Sequence, residues 1–248
     1  MAKAFSIDAA TVLKRPLWVI GASDYNLGMT VLERADEFWD YAYITTTDEQ
    51  ICDVTEQLSI ERVLGQFRNW GCGRQGIGLD IVYSAGINLL NPIPYVDEID
   101  IWQTFNVNVL GFIRLMKGVV KVFPEGNVNV VAVASDAARV AMRNSINYCA
   151  SKAALVQAVR VAARELAPTI RVNAVSPAII EGTPMTTQID AEVRLQRGWS
   201  EEEALAYERT MIPMQRRATK EEVADVILST LNGPAFMTGS NIEITGGK

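Results

Sequence analysis

The sequence predicts a doubly wound α/β architecture, a parallel sheet with helices on both faces. Short apolar runs alternate with longer segments of helical period, which implies strand–helix–strand units. The runs are near-continuous in apolar residues, as in strands covered on both faces. The first run enters a glycine-bearing turn, Gly21-Ala22-Ser23-Asp24-Tyr25-Asn26-Leu27-Gly28, that opens a helix.

In chain order, Leu17–Ile20 is a strand and Leu27–Phe38 a helix. Tyr41–Thr46, rich in aromatic and β-branched residues, is the second strand. Ile51–Asp53 is expected as a short third strand, followed by a helix from Thr55 to Asn69 and a glycine-rich loop, Trp70–Gly78. Asp80–Ser84 is a strand, Val96–Phe123 a long helical segment and Val128–Ala134 the clearest strand of the set. Ser145–Leu166 is a helix and Ile170–Ser176 a strand. Pro177–Pro213 is an amphipathic excursion, after which Lys220–Leu231 is a helix and Asn241–Thr245 the last strand. The expectation is one domain over residues 1–248, with a substrate lid inserted at about 178–213.

Composition narrows the chemistry. The net charge is −6 and no basic run occurs, which argues against nucleic acid or an anionic membrane as partner. No apolar stretch is long enough to span a bilayer, and Met1–Arg15 lacks the apolar core of a signal peptide, so a cytoplasmic location is expected. Cys52, Cys72 and Cys149 are too scattered for a disulfide framework. Histidine is absent, which removes histidine-based triads and zinc sites, and no metal is expected. Acid–base work near neutral pH must then fall to Tyr, Lys, Asp, Glu or Cys with shifted pKa values.

Candidate site residues lie where the predicted strands end. The turn at Gly21 would bring backbone amides and a helix dipole to a pyrophosphate. On its own, such a turn is more often an ordinary connection. Tyr148 and Lys152 lie four apart, on one helix face. An ammonium beside the phenol would lower its pKa and make it a proton donor and acceptor, although exposed Tyr/Lys pairs at this spacing are common. Ser135 ends the fifth predicted strand, and ligands of open α/β sheets bind outside the carboxyl ends of strands. Gly21, Ser84, Ser135 and Ser176 all fall at such ends, though Ser135 can also be read as a helix-cap serine. Asn106 and Asn108, poor mid-helix residues, suggest a kink, a bound water or a polar role.

In this order the pieces resemble the short-chain dehydrogenase/reductase family, of the compact Rossmann-type form, over nearly the whole chain. They are Gly21-Ala22-Ser23 to Leu27-Gly28, Asp53-Val54, Ser84-Ala85-Gly86, Val107-Asn108-Val109 with Gly111, Ser135, Tyr148-Cys149-Ala150-Ser151-Lys152, Ile170 to Pro177, Glu221-Glu222-Val223-Ala224, and Thr238-Gly239 to Gly246-Gly247. The resemblance implies an NAD(P)-dependent enzyme interconverting an alcohol and a ketone or aldehyde by hydride transfer. Tyr148 would be its general acid/base, Lys152 would tune Tyr148 and hold the nicotinamide ribose, Ser135 would bond the substrate oxygen, and Asn108 would fix a proton-relaying water. The implied cofactor set is Gly21, Ser23, Asn26, Leu27, Gly28, Thr46, Asp53, Val54, Ser84, Ala85, Gly86, Tyr148, Lys152, Pro177, Ile180 and Thr183. Tyr95, Ala137, Met142 and Met185 would line the substrate side, a largely apolar set, with Arg139 and Arg143 the alternative for an acidic substrate. A homo-oligomer, dimer or tetramer, is also implied.

The sequence departs from the family pattern at Asn26, which stands for the middle glycine and tolerates left-handed backbone better than most residues. Thr46 ends the second strand, where an acid would select NAD and an arginine NADP. Asp48 and Glu49 nearby would repel a 2′-phosphate, a slight lean to NAD. Leu155 occupies the position where the divergent enoyl-reductase branch carries its wider-spaced lysine. The rival reading is a catalytically inactive dinucleotide-binding sensor or scaffold of the same fold.

Overall fold

The computed structural model describes residues 15–21, 26–35, 42–45, 52–72 and 77–248, with 42–45 described by backbone alone. Six parallel strands form the sheet: β1 (Leu17–Ile20), β2 (Ala42–Thr45), β3 (Leu79–Tyr83), β4 (Val128–Val133), β5 (Ile170–Pro177) and β6 (Asn241–Ile244). Their order across the sheet is β2-β1-β3-β4-β5-β6, and every neighbouring pair is parallel. The helices are α1 (Leu27–Arg34), α2 (Gln57–Asn69), α3 (Glu98–Phe105), α4 (Gly111–Val122), α5 (Ile146–Leu166), α6 (Pro184–Arg197), α7 (Glu201–Met211) and α8 (Lys220–Leu231).

Alternate residues of each strand feed opposite faces, as the two-residue period of a strand requires. Trp18, Ile20, Ile81, Tyr83, Val130 and Ala132 pack with α2, α4 and α5. Leu17, Val19, Val82, Val131 and Val133 pack with α1 and α8 on the other side. Each large aliphatic side chain buried this way contributes about 1.5–3 kcal/mol of transfer free energy. Both faces being apolar explains why the strands read as continuous apolar runs.

The expected third strand is a correction. Cys52 and Asp53 form no strand, while Ile51 lies outside the described residues. The Asp53 carboxylate accepts hydrogen bonds at 2.7 Å from the Thr55 amide and the Thr55 hydroxyl, and its own amide donates to Ser59 Oγ at 2.9 Å. This turn-type bonding takes the place of a ladder. The segment Val96–Phe123 is helical as expected, but α3 and α4 are joined by a π-helical turn, Asn106–Leu110, where the two asparagines sit. The excursion after β5 holds two helices, α6 and α7, capped by Thr183 and Ser200.

Candidate active site

The central strands end on one level. The register sets Ile20 beside Tyr83, Tyr83 beside Ala132 and Ala132 beside Ala174. The residues just beyond, with Tyr148 and Lys152 of α5 and with α6 and α7, enclose a cavity of about 480 Å³.

One end of this cavity is a backbone cradle. Gly21 has φ +84°, and a Cβ there would lie 2.6 Å from the Ala85 nitrogen, so only glycine lets the turn rest on the Ala85-Gly86 loop. Asn26 donates from Nδ2 to the Gly21 carbonyl at 2.7 Å and accepts at Oδ1 from the Met29 amide at 3.1 Å. Its φ is −96°, extended and not left-handed, so the asparagine serves as N-cap of α1 rather than as a stand-in for glycine flexibility. Leu27 and Gly28, in the first turn of α1, line the cavity. A Cβ on Gly86 would sit 3.3 Å from Lys152 Nζ, so the loop passes directly over the lysine. A glycine-lined cradle at a helix N-terminus fits a dinucleotide phosphate.

At the centre are Ser135, Tyr148 and Lys152, all buried. Ser135 caps the short turn Asp136–Ala138, accepting from the Ala137 amide at 3.2 Å, and its hydroxyl donates to Asp136 Oδ1 at 3.3 Å. Lys152 Nζ donates to the Val133 carbonyl at 2.8 Å and lies 5.6 Å from the centre of the Tyr148 ring. Helical spacing thus does bring phenol and ammonium to one face, at the tip of β4.

The electrostatics differ from the expectation of an acidic phenol. Burial pushes Tyr148 up to about 12, against a smaller lowering effect of Ser135. Burial also draws Lys152 down to about 8. Both shifts favour the neutral form, as desolvation does. Tyr148 is accordingly a protonated phenol at neutral pH.

Asn108, fully buried, binds the Ile87 backbone both ways. Its Oδ1 accepts from the Ile87 amide at 2.9 Å, and its Nδ2 donates to the Ile87 carbonyl at 3.0 Å and to Ser151 Oγ at 2.9 Å. Ser151 Oγ in turn donates to the Tyr148 carbonyl at 2.8 Å. The asparagine side chain is therefore engaged on both atoms, tying the loop after β3 to the first turns of α5. It does not reach the cavity wall.

Of the other expected residues, Gly21, Asn26, Leu27, Gly28, Ser84, Ala85, Gly86, Pro177, Ile180, Thr183, Met142 and Met185 line the cavity. Ser23 and Thr46 lie outside the described residues. Asp53 and Val54 are not in the described wall: Asp53 bonds Thr55, and the Val54 carbonyl accepts from Arg114. Tyr95 is 76% exposed on the turn Ile93–Tyr95, away from the cavity, because that turn leaves all its side chains unburied. Ala137 is buried beneath the wall and acts through its amide on Ser135. Arg139 pairs with Glu243, and Arg143 is exposed; neither lines the cavity.

Three wall residues escaped sequence reasoning, Asn88, Asp136 and Lys248, while Ile189, Met211 and Ile212 fall within the expected lid segment. Asp136 could have been found by its place directly after Ser135. Lys248 carries no local signal, since the end of β6 brings it there.

A family model described as enoyl-(acyl carrier protein) reductase matches residues 34–248. L-xylulose reductase of Cavia porcellus is 30% identical over 214 residues, 82% of this chain and 84% of that protein. The 3-oxoacyl-[acyl-carrier-protein] reductase of Thermotoga maritima is 35% identical over 203 residues, 81% of this chain and 76% of that protein. The ligand-free structure of Thermoplasma acidophilum aldohexose dehydrogenase superimposes with a TM-score of 0.79 at 25% identity, covering 94% of this chain and 93% of that one. The chain belongs to the short-chain dehydrogenase/reductase family. It is an enzyme, an oxidoreductase of that family, and the sensor alternative finds no support among these relatives.

Proposed function

We propose that the enzyme interconverts an alcohol and a ketone or aldehyde with NAD(P), using Tyr148 as general acid/base. The observation that carries this reading is the meeting of Ser135, Tyr148 and Lys152 with the glycine cradle in one cavity. NAD(P), when bound, supplies or takes the hydride. Gly21, Asn26, Leu27, Gly28, Ala85, Gly86, Lys152, Pro177, Ile180 and Thr183 would hold it. In the reduction direction, the carbonyl oxygen gains negative charge as its carbon accepts the hydride. Ser135 donates a hydrogen bond to that oxygen, and Tyr148 transfers its phenolic proton to it. Lys152 positions Tyr148 and, while charged, favours the phenolate left behind. Asn108 holds Ile87 and Ser151 so that Tyr148 keeps its place.

Met142, Ile179, Met185, Ile189, Met211 and Ile212 make the substrate side apolar, which fits a compact apolar alcohol or ketone better than a polyol. Asn88 adds one polar element: its Oδ1 is buried without a hydrogen-bond partner, an acceptor suited to a hydroxyl on the substrate. Asp48 and Glu49 favour NAD over NADP by repulsion of a 2′-phosphate. The reading takes the chain as one domain whose α6–α7 pair is the substrate lid. A homo-oligomer fits the exposure of Ile101, Trp102, Leu110 and Ile113 along α3, the π-helical turn and α4.

The test is a fluorescence titration with NADH and NADPH, then a screen of aliphatic and cyclic alcohols and ketones for cofactor turnover. Tyr148→Phe is expected to lower kcat by about 10²–10⁴-fold while cofactor affinity stays within a few-fold. An unchanged rate in that variant removes the mechanism.

A further inference from the structure

Ser135 has a single hydroxyl proton and more than one claimant for it. The Asp136 carboxylate, whose side chain is only 1% exposed, accepts it at Oδ1 over 3.3 Å. Tyr148 lies near enough to the same hydroxyl for Ser135 to lower its pKa, and in the proposed reaction the substrate oxygen needs that proton too. A bare carboxylate next to this serine would win the contest, because hydrogen bonds to charged acceptors are roughly twice as strong as neutral ones. The observed bond is long for O–H···O, beyond the roughly 3.0 Å upper end of the usual range, so the carboxylate holds the hydroxyl weakly.

The other oxygen of the carboxylate has its own partner. Lys248 Nζ donates to Asp136 Oδ2 at 3.0 Å. Lys248 is itself fixed: its carbonyl accepts from Arg139 Nη2 at 3.0 Å, and Arg139 pairs with Glu243 of β6 at 3.2 Å. A residue beyond the last strand thus reaches back to the turn that follows β4.

We propose that Lys248, by neutralising buried Asp136, frees the Ser135 hydroxyl for the reacting oxygen and is a positioning residue of the active site. This rests on the roles proposed above for Ser135 and Tyr148. The groups facing Tyr148 are Ser135 and Asp136 from the turn after β4, and Cys149 and Lys152 from α5 itself. Lys248 and Glu208 reach the same cavity from beyond β6 and from α7. Glu208 is held by Arg217, at 2.6 Å, so Lys248 is not drawn away from Asp136, which it meets at 3.0 Å. Asp136 raises the pKa of Tyr148, so removing its countercharge strengthens that effect.

The experiment labels the tyrosine ring carbon that bears the oxygen with ¹³C and follows Tyr148, assigned through Tyr148→Phe, by NMR from about pH 7 to about pH 11 with NAD⁺ bound, whose positive nicotinamide favours the phenolate. In Lys248→Met, phenolate formation is expected about one pH unit later than in the wild type, with kcat down about tenfold and NADH affinity unchanged. Lys248→Arg restores both. Asp136→Asn combined with Lys248→Met recovers most of the loss, because the competing charge is gone. A Tyr148 titration in Lys248→Met that overlays the wild type overturns the proposal, as does a double variant no better than the single one. Should Lys248→Met loosen the fold, Lys248→Gln carries the same comparison with a neutral donor in place. The NMR readout needs no turnover, so an unaffected rate in Tyr148→Phe would sink the proposed mechanism and still leave the Lys248 effect measured.

Discussion

On the sheet side of the cavity, Asn108, Ser151 and Lys152 are buried and hydrogen-bonded, two of them directly to the backbone of other elements. Across the cavity, α6 buries one residue, Thr186, and α7 buries none. That side is held largely by charge. Arg217, 12% exposed, forks onto Asp190 of α6 at 2.7 and 2.9 Å and onto Glu208 of α7 at 2.6 and 2.7 Å. Ångström placement of reacting groups calls for buried, over-determined contacts, while a surface that must admit different molecules tolerates ion pairs at its rim. On the proposed mechanism, the contrast would separate what sets rate from what sets substrate choice.

Substitutions on each side test this separation. The largest effect is expected for Lys152→Met, a loss of about 10³-fold in kcat, measured by steady-state turnover. Its stability carries a pH signature. Lys152 titrates near 8 in the folded protein, below the roughly 10.4 of an unfolded lysine. Between these values the unfolded chain binds a proton that the folded one lacks, so stability rises with pH. Urea unfolding should show the wild type gaining up to about 3 kcal/mol on the variant from pH 7.5 to about 10.4. A constant difference would mean that the lysine is not desolvated.

Asn108→Ala comes next. It strips the Ile87 amide and carbonyl of their partner and frees Ser151, at a cost of about 1–3 kcal/mol, with kcat down about tenfold and little change in KM. A change confined to KM would place Asn108 on the wrong side of the contrast. The smallest effect is expected for Arg217→Gln. Loss of the fork should raise substrate KM about three- to fivefold and lower stability by about 1 kcal/mol, with kcat within twofold. A large fall in kcat there would show that the charged side also places the reacting groups.

The same division explains what could be read from sequence. Lys220–Leu231 and Leu17–Ile20 are found at their observed bounds because apolar period is a local property. Ser135, Tyr148 and Lys152 are legible because topology carries strand ends to one edge whatever the loops do. The third strand misleads: its apolar start suggests pairing, while the Asp53 side chain bends the backbone into a turn. Asn26 is legible as an exception, but its capping role follows from bonds to Gly21 and Met29 that composition does not reveal. Lys248 is invisible for a tertiary reason, lying 112 residues from Asp136.

The split of β1 between two cores has a consequence for how this protein fails. Trp18 and Ile20 fill one core and Leu17 and Val19 the other, and Gly21 follows at once. A slip of β1 by one position would exchange the contents of both layers and drag Gly21 off Ala85. Mispaired molecules would thus be unstable and unable to hold a dinucleotide, so impure refolding should yield fewer working molecules, not slower ones.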